Sequence, residues 1–358
     1  SKNCYNKLAL KINDEVYPLS SFDLYLNRPD ILLQRLNLSN TAYLEAYKLA
    51  HKKRMTNMNI DQVDLDFRNI SLPEVSINVG GLPNITNDSE IEFQLVASDS
   101  LSALSKIDVI INGVPLFGYN GIKTGNRNVF KEDVGIKLSD GKNVISVSAM
   151  NVFGFKSVED KFEINYQAKE ASKPDIYIVV ISVSNYQQND MNLKYAVKDG
   201  RDITSLYSKN INNIYGNVHI DTLFNSDATF DNVIAIKEKL LKSNVDDQVI
   251  LYVSGHGLLD DNLDFYFASH DMDFTNPALR GISYETLEDL LDSIPARKKL
   301  FMMDTCNSGE VDKEELIVSN EGTRGEGAKN GIKSYSYRGA NVTTSDNNSS
   351  KLGLQNSF

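Results

Sequence analysis

The chain has 358 residues, enough for two or three domains. Its 41% hydrophobic and 24% charged residues are those of a globular protein rather than a disordered or fibrous one. Lys and Arg number 37 against 48 for Asp and Glu, and 37 − 48 leaves a net charge of −11, which repels phosphate backbones and anionic lipid, so nucleic acid is not an expected partner. Two cysteines, Cys4 and Cys306, are too few for a disulfide framework or a structural zinc site, and reduced thiols in a cytoplasmic setting are expected. No apolar run reaches the roughly 18 residues of a membrane span, and the first residues lead into no signal-peptide core. The chain opens on Ser1 rather than Met, as a piece of a longer protein would.

Residues 1–70 read as a mixed α/β or helical region. Asn27 and Pro29 take the cap and first-turn slots before Ile31-Leu32-Leu33. A second helix is expected over 39–57, with Ala42, Tyr43, Ala46, Tyr47 and Ala50 on one stripe and Lys52, Lys53 and Arg54 as a solvated C-terminal end.

Over 71–168 the period becomes two. Ile91, Phe93 and Leu95 alternate with Glu92 and Gln94, and Ile145, Val147 and Ala149 with Ser146 and Ser148. Turn signals at Asn112-Gly113, Gly121, Gly125-Asn126, Asp140-Gly141 and Gly154 separate the runs. About seven short strands point to an antiparallel β-sandwich of immunoglobulin-like size, without the Cys…Trp…Cys core of antibody domains, since the chain has no Trp. A spacer and a partner-binding module both fit this region.

Residues 173–310 change style again. Ile176-Tyr177-Ile178-Val179-Val180-Ile181-Ser182-Val183 reads as a strand buried on both faces. Helical stretches near 193–209, 232–241 and 284–292 alternate with strand-like runs at 218–224, 248–253 and 299–303, which predicts a parallel-dominated sheet flanked by helices. Ligands in such sheets gather beyond the carboxyl ends of the strands.

Two motifs stand there: Ser254-Gly255-His256-Gly257 after the third strand and Asp304-Thr305-Cys306-Asn307-Ser308-Gly309 after the fourth. An isolated Cys is commonly an inert core residue and an isolated His a structural one. Here both follow apolar strands among small residues, and parallel strands joined through one helix bring their C-terminal ends together, so an imidazole is placed to assist a thiolate.

These motifs, with Leu193-Lys194-Tyr195-Ala196-Val197-Lys198-Asp199, resemble the caspase and metacaspase clan of cysteine endopeptidases in its bacterial branch, over residues 175–309. The 50-residue interval from His256 to Cys306 agrees with caspase spacing, while Asp-Thr-Cys is the metacaspase-like form of the local motif. The resemblance implies Cys306 as nucleophile, His256 as the acid/base that protonates the leaving amine, and backbone amides of Gly257 and Cys306 as the oxyanion hole. Asn307 stands where many relatives carry His. The resemblance also implies that Asp199 and Asp304 line a pocket for a basic residue, hence cleavage after Arg or Lys. Asp199 falls on the inward stripe of its helix, where a carboxylate requires a partner. Its alternative reading is a helix-start carboxylate or an ion pair with Lys198 or Arg201.

Some relatives require calcium, and Asp260, Asp261, Asn262 and Asp264 follow the His loop. Their spacing is no EF-hand, so solvated turn acids, no metal site and no cofactor are expected. His270 lacks the Gly neighbours of a second candidate base. Residues 22–30 look like the segment that joins a β-propeller to the peptidase in some bacterial members, although the chain has no propeller repeat of its own. A caspase-fold scaffold without activity, and a hydrolase or transferase acting on small molecules through the same dyad, are the rival readings to a peptidase acting on protein or peptide substrates.

After the nucleophile, residues 307–351 hold 6 Gly, 7 Ser and 6 Asn among 45, so 311–358 reads as a flexible loop. Arg324, Lys329, Lys333, Arg338 and Lys351 are its candidate self-processing sites. A caspase-like domain ordinarily has further sheet here, so a C-terminal small-subunit segment is expected as a missing part or a second chain.

Overall fold

The computed structural model describes residues 8–12, 14–37, 41–60, 70–170, 172–210, 214–305, 333–337 and 340–345. The chain divides into two compact units, Ser1–Lys169 and Glu170–Phe358.

The first unit opens with a hairpin, β1 (Ala9–Ile12) and β2 (Glu15–Pro18), followed by α1 (Asp23–Leu26), α2 (Pro29–Arg35) and α3 (Thr41–Asn57). Pro29 begins α2 at its first position, where its missing N–H costs nothing, and Arg28 rather than Asn27 is the cap residue. Arg28 grips Asp30 through two hydrogen bonds of 2.9 and 2.6 Å, which holds the 2%-exposed carboxylate below its usual pKa range. Arg54 differs from the solvated end expected of it. Its guanidinium donates to the Asn27 carbonyl at 2.7 Å and lies 3.4 Å from Asp23, tying α3 to α1. Phe22 packs edge-on against Phe155 at 5.6 Å, and the Tyr25 hydroxyl donates to the Phe153 carbonyl. Gly154 sits at φ +81° with Leu24 so close that a Cβ would lie 2.6 Å from its Cδ2, so this turn requires glycine twice over.

The rest of the first unit is strand. One sheet runs β4 (Ile85–Thr86), β11 (Asp160–Tyr166), β10 (Gly141–Asn151), β6 (Leu104–Ile111) and β7 (Val114–Pro115), with β8 (Ile122–Lys123) also on β6. The other runs β3 (Glu74–Asn78), β5 (Glu90–Ser98) and β9 (Val129–Lys137). The alternation read in the sequence is the buried pattern: Ile91, Phe93 and Leu95 of one sheet and Ile145, Val147 and Ala149 of the other share a single core. Pairing is antiparallel except for the short β4–β11 contact. Of the nine strands here, β4, β7 and β8 are two-residue pieces, too short to show a period.

The second unit is built on a sheet of order β13 (Val218–Phe224), β12 (Ile176–Ser182), β14 (Gln248–Gly255), β18 (Lys298–Thr305), β20 (Ala340–Ser345), β19 (Lys333–Tyr337). Every pair is parallel except β19–β20. All seven residues of β12 are buried, as a strand covered on both faces must be. Ile176, Ile178 and Val180 pack with Ile203 and Tyr207 of α4 (Ala196–Asn210). Tyr177, Val179 and Ile181 face the other way, into a core shared with α5 (Phe230–Leu240) and α6 (Tyr284–Leu291). Thr229 and Ser283 cap these two helices by accepting from Asn232 N and Thr286 N. A small antiparallel sheet, β15 (Gly257–Leu259), β16 (Phe265–Phe267) and β17 (Ile282–Ser283), follows β14.

The segment read as a loop, 311–358, differs from that reading: β19 and β20 lie within it, and β20 extends the parallel sheet beside β18. Tyr335, Tyr337, Val342, Thr343 and Thr344 suit strands, but a composition count over 45 residues averages them away against Gly, Ser and Asn.

Lys299 on β18 is 5% exposed, and its ammonium donates to the Leu291 carbonyl, the last of α6, at 2.7 Å. Burial pushes its pKa down to about 8. The folded state therefore releases a proton near pH 8 that the unfolded chain keeps to about 10.5, and stability rises with pH across that window. The size is about 3 kcal/mol, at ~1.4 kcal/mol per pKa unit. Urea unfolding of the wild type and Lys299→Met from pH 7.5 to 10.5 checks it: the wild type should gain on the variant as pH rises, and a constant difference would refute the assignment.

Candidate active site

The strand order of the second unit reverses at β12. The chain passes from β12 to β13 on one side and then to β14 on the other, so the loops that leave β12 and β14 flank one crevice at the carboxyl ends of the strands. Both loops carry site residues. In register, Ser182 pairs with Ser254, Ser254 with Asp304, and Gly255 with Thr305.

His256 directly follows β14 and is partly buried. Its Nε2 lies 2.9 Å from the Met191 carbonyl oxygen. A carbonyl only accepts, so Nε2 carries the proton and donates, and in the neutral ring the lone pair resides on Nδ1. Its backbone N–H donates to the Tyr186 hydroxyl at 3.0 Å. The Tyr186 ring lies 5.3 Å from the imidazole at 38°, and Phe274 meets both rings edge-on at 5.3 and 5.7 Å. A Cβ on Gly255 would stand 2.9 Å from both the Tyr186 hydroxyl and Phe267, which explains a glycine before the histidine.

Gly257, the first residue of β15, faces Phe267 across the hairpin. Ala268 N donates to the His256 carbonyl, which makes Gly257 and Phe267 a non-hydrogen-bonded pair, so the Gly257 N–H is directed away from this ladder.

Asp304 and Asp199 lie on the same face and at the same end of the sheet. Along β18, Leu300 and Met302 face α4, and by alternation so does Asp304. Asp199 lies in the first turn of α4, next to Gly200. A Cβ on Gly200 would meet Ser182 Oγ, with Val180 Cγ1 and Phe224 Cε1 at 3.0 and 3.1 Å, so this turn of the helix rests directly on the sheet. Lys198 pairs with Asp202 at 2.6 Å, and the Arg201 guanidinium lies over the Phe224 ring. Leu206 is exposed, and Tyr207 completes the inward stripe. Beside Asp304, the buried hydroxyls of Ser182 and Ser254 have no hydrogen-bond partner among the described residues.

Cys306 lies outside the described residues, as do Asn307, Arg324, Lys329, Arg338 and Lys351. Lys333 opens β19, paired with Thr344. Asp260 closes a turn by accepting from Asn262 N and Asp264 N, both at 2.8 Å, and no group of three or more His, Cys, Asp or Glu suited to a metal occurs among the described residues. His270 donates from Nδ1 to the Asn185 carbonyl at 2.6 Å. Among the described residues, no helix is long and apolar enough to cross a membrane.

Tyr186, Met191 and Phe274 form part of this site without having been singled out in the sequence, and Ser254 was named only as part of the His motif. Ser254 stands inside the His motif and was open to notice as a polar residue ending an apolar strand. Met191 acts through its backbone, which no side-chain pattern reveals.

Residues 177–353 match the caspase domain family. The second unit is a caspase domain. The caspase family is one of cysteine peptidases acting on proteins, and the order and direction of the strands described above belong to the part of the chain that matches it. No curated protein matches the chain. Among solved structures, the chain is similar to the fibronectin(III)-like modules of Clostridium thermocellum CbhA at 19% identity, over 28% of this chain and 51% of that one, with a TM-score of 0.21. It is also similar to the PKD domain of an M14-like peptidase from a Thermoplasmatales archaeon at 15% identity, over 27% of this chain and 93% of that one, with a TM-score of 0.20. The chain therefore spans about half of the CbhA structure.

Proposed function

We propose that the caspase domain is an active, metacaspase-like endopeptidase that cleaves after Arg or Lys through His256 and Cys306. The observation that carries this reading is the parallel pairing of Gly255 with Thr305. Neighbouring strands run about 4.8 Å apart, and His256 and Cys306 are each one peptide bond beyond that pair, so they leave adjacent strand ends.

In this mechanism, His256 Nδ1 takes the proton of the Cys306 thiol, and the thiolate attacks the carbonyl carbon of the scissile bond. Negative charge on the carbonyl oxygen is met by the N–H groups of Gly257 and Cys306. His256 then returns the proton to the leaving amine, and water hydrolyses the thioester. Asp199 and Asp304, with Ser254 between β12 and β18, receive the basic side chain on the α4 face. Two buried hydroxyls in a core of apolar strands that have no partner among the described residues favour a site whose polar partners come from a ligand. The two-sheet body of the first unit is an immunoglobulin-like spacer or partner-binding module in this scheme.

Self-processing belongs to the same proposal. Arg324, Lys329, Arg338 and Lys351 are preferred over Lys333, which begins a paired strand that must open before a protease can enter. Mass spectrometry of the chain beside its Cys306→Ala form checks it: fragments ending at these residues should appear in the active form alone. Cleavage profiles over a peptide library test the endopeptidase activity itself, with Cys306→Ala as control. A wild type that cuts no peptide would support the inactive-scaffold reading.

A further inference from the structure

The loop that leaves β12 is tied down from several sides. Ser184 N and Asn185 N both donate to Asn225 Oδ1 at 2.9 Å, and Gln187 N donates to the His270 carbonyl at 2.9 Å. The His270 ring returns a hydrogen bond to the Asn185 carbonyl, and Tyr186 N donates to Asn192 Oδ1 at 2.7 Å. Tyr186 is thus fixed at its backbone. Its ring is 2% exposed and stands edge-on to Phe274.

From this mount, the Tyr186 hydroxyl accepts the backbone N–H of His256. That N–H falls in the one-residue gap between β14 and β15, beyond the last pair of the parallel ladder. We propose that Tyr186 is a positioning residue for the peptidase reaction: its hydroxyl fixes the main chain of His256 while the Met191 carbonyl fixes the ring. The two points lie on either side of the rotatable Cα–Cβ and Cβ–Cγ bonds. The His256 carbonyl already accepts from Ala268 N; with the N–H held by Tyr186 as well, the peptide before the histidine is fixed and the ring presents Nδ1 in one direction. Catalytic geometry is sensitive at this level, since a displacement near 1 Å is enough to lose a large part of the rate. The inference rests on the endopeptidase reading for its kinetic consequence, but not for its structural one.

Tyr186→Phe keeps the ring packing and removes the hydroxyl, and with it the acceptor for the His256 N–H. Expected is a fall of about tenfold in kcat, the equivalent of ~1.4 kcal/mol, with KM within twofold. Expected too are faster hydrogen exchange at the His256 amide and slower alkylation of Cys306 by iodoacetamide near neutral pH, because the imidazole no longer assists ionisation of the thiol. The amide exchange and alkylation are read without peptide substrate, so they test Tyr186 even if wild type cleaves nothing, an outcome that would count against the endopeptidase reading alone. Unchanged kcat, unchanged amide exchange and an unchanged alkylation profile in a folded Tyr186→Phe protein would overturn the inference. Should that variant fail to fold, 3-fluorotyrosine at position 186 retains the ring and hydroxyl but weakens the acceptor, and kcat should still fall; no change there would equally overturn it.

Discussion

Replacing Cys306 with Ala should lower kcat/KM for peptide cleavage by a factor on the order of 10⁴ to 10⁶, and His256→Ala should come close to it, with the double variant no worse than the lower single one. Nucleophile and base act as one unit, so their losses do not add. His256 does not belong to the buried apolar clusters that hold the sheet to α4, α5 and α6. The cost in stability for His256→Ala is the hydrogen bond to Met191 and part of the aromatic contact with Tyr186 and Phe274, about 1–2 kcal/mol. In a unit of this size each kcal/mol moves Tm by roughly 2–4 °C, so both variants should stay folded at the assay temperature. Circular dichroism melts run beside the kinetics separate the two effects. A Cys306→Ala protein that still cuts at more than a hundredth of the wild-type rate would remove the cysteine mechanism.

The second unit was legible in the sequence to an unusual depth because its central strands, β12 and β14, are buried on both faces and need no partner to declare themselves. Ile176–Ser182 reads as a nearly unbroken apolar run and Val218–Phe224 as a strand-like run interrupted by His219 and Asp221, and the structure places strands over both. The helix boundaries shifted by at most three residues. Residues 193–195 belong to the turn before α4, since Ser184 Oγ accepts from Val197 N and starts the helix at Ala196. What stayed hidden was set by long-range pairing. The strands at 333–345 exist through β18, which no local window contains. The support of His256 comes from a tyrosine 70 residues away and a main-chain carbonyl 65 residues away. In the first unit, the alternation of β5 and β10 announced the two-sheet core, whereas the link between Phe22 and Phe155 spans 133 residues of sequence and carried no local sign.

Asp199→Ala should lower kcat/KM for a substrate with Arg before the scissile bond by about 10- to 100-fold, while a substrate with citrulline there should change by less than about threefold. Citrulline has nearly the shape of arginine and no charge, so the ratio of the two isolates the ionic part of recognition from packing. A charge-assisted hydrogen bond in a partly desolvated pocket is worth about 1.5–3 kcal/mol, which sets the expected range. Asp304→Asn should act in the same direction, and because both carboxylates meet one guanidinium, the double variant should lose less than the product of the single losses. Fold effects are expected to be small for Asp199, which is half-buried in the first turn of α4, where its helix-dipole contribution is about 0.3–1 kcal/mol. Bound this way, Lys should be cleaved more slowly than Arg, since an ammonium makes no bidentate pair with a carboxylate. Equal losses for Arg and citrulline substrates would assign Asp199 to the architecture of the helix start, and efficient cleavage after Asp would reverse the charge logic of the pocket. Either result would remove the basic-residue specificity while leaving the His256 and Cys306 chemistry untouched, because Asp199 lies on α4 and Asp304 on the sheet face that α4 covers, whereas the imidazole is held by the loop beyond β12.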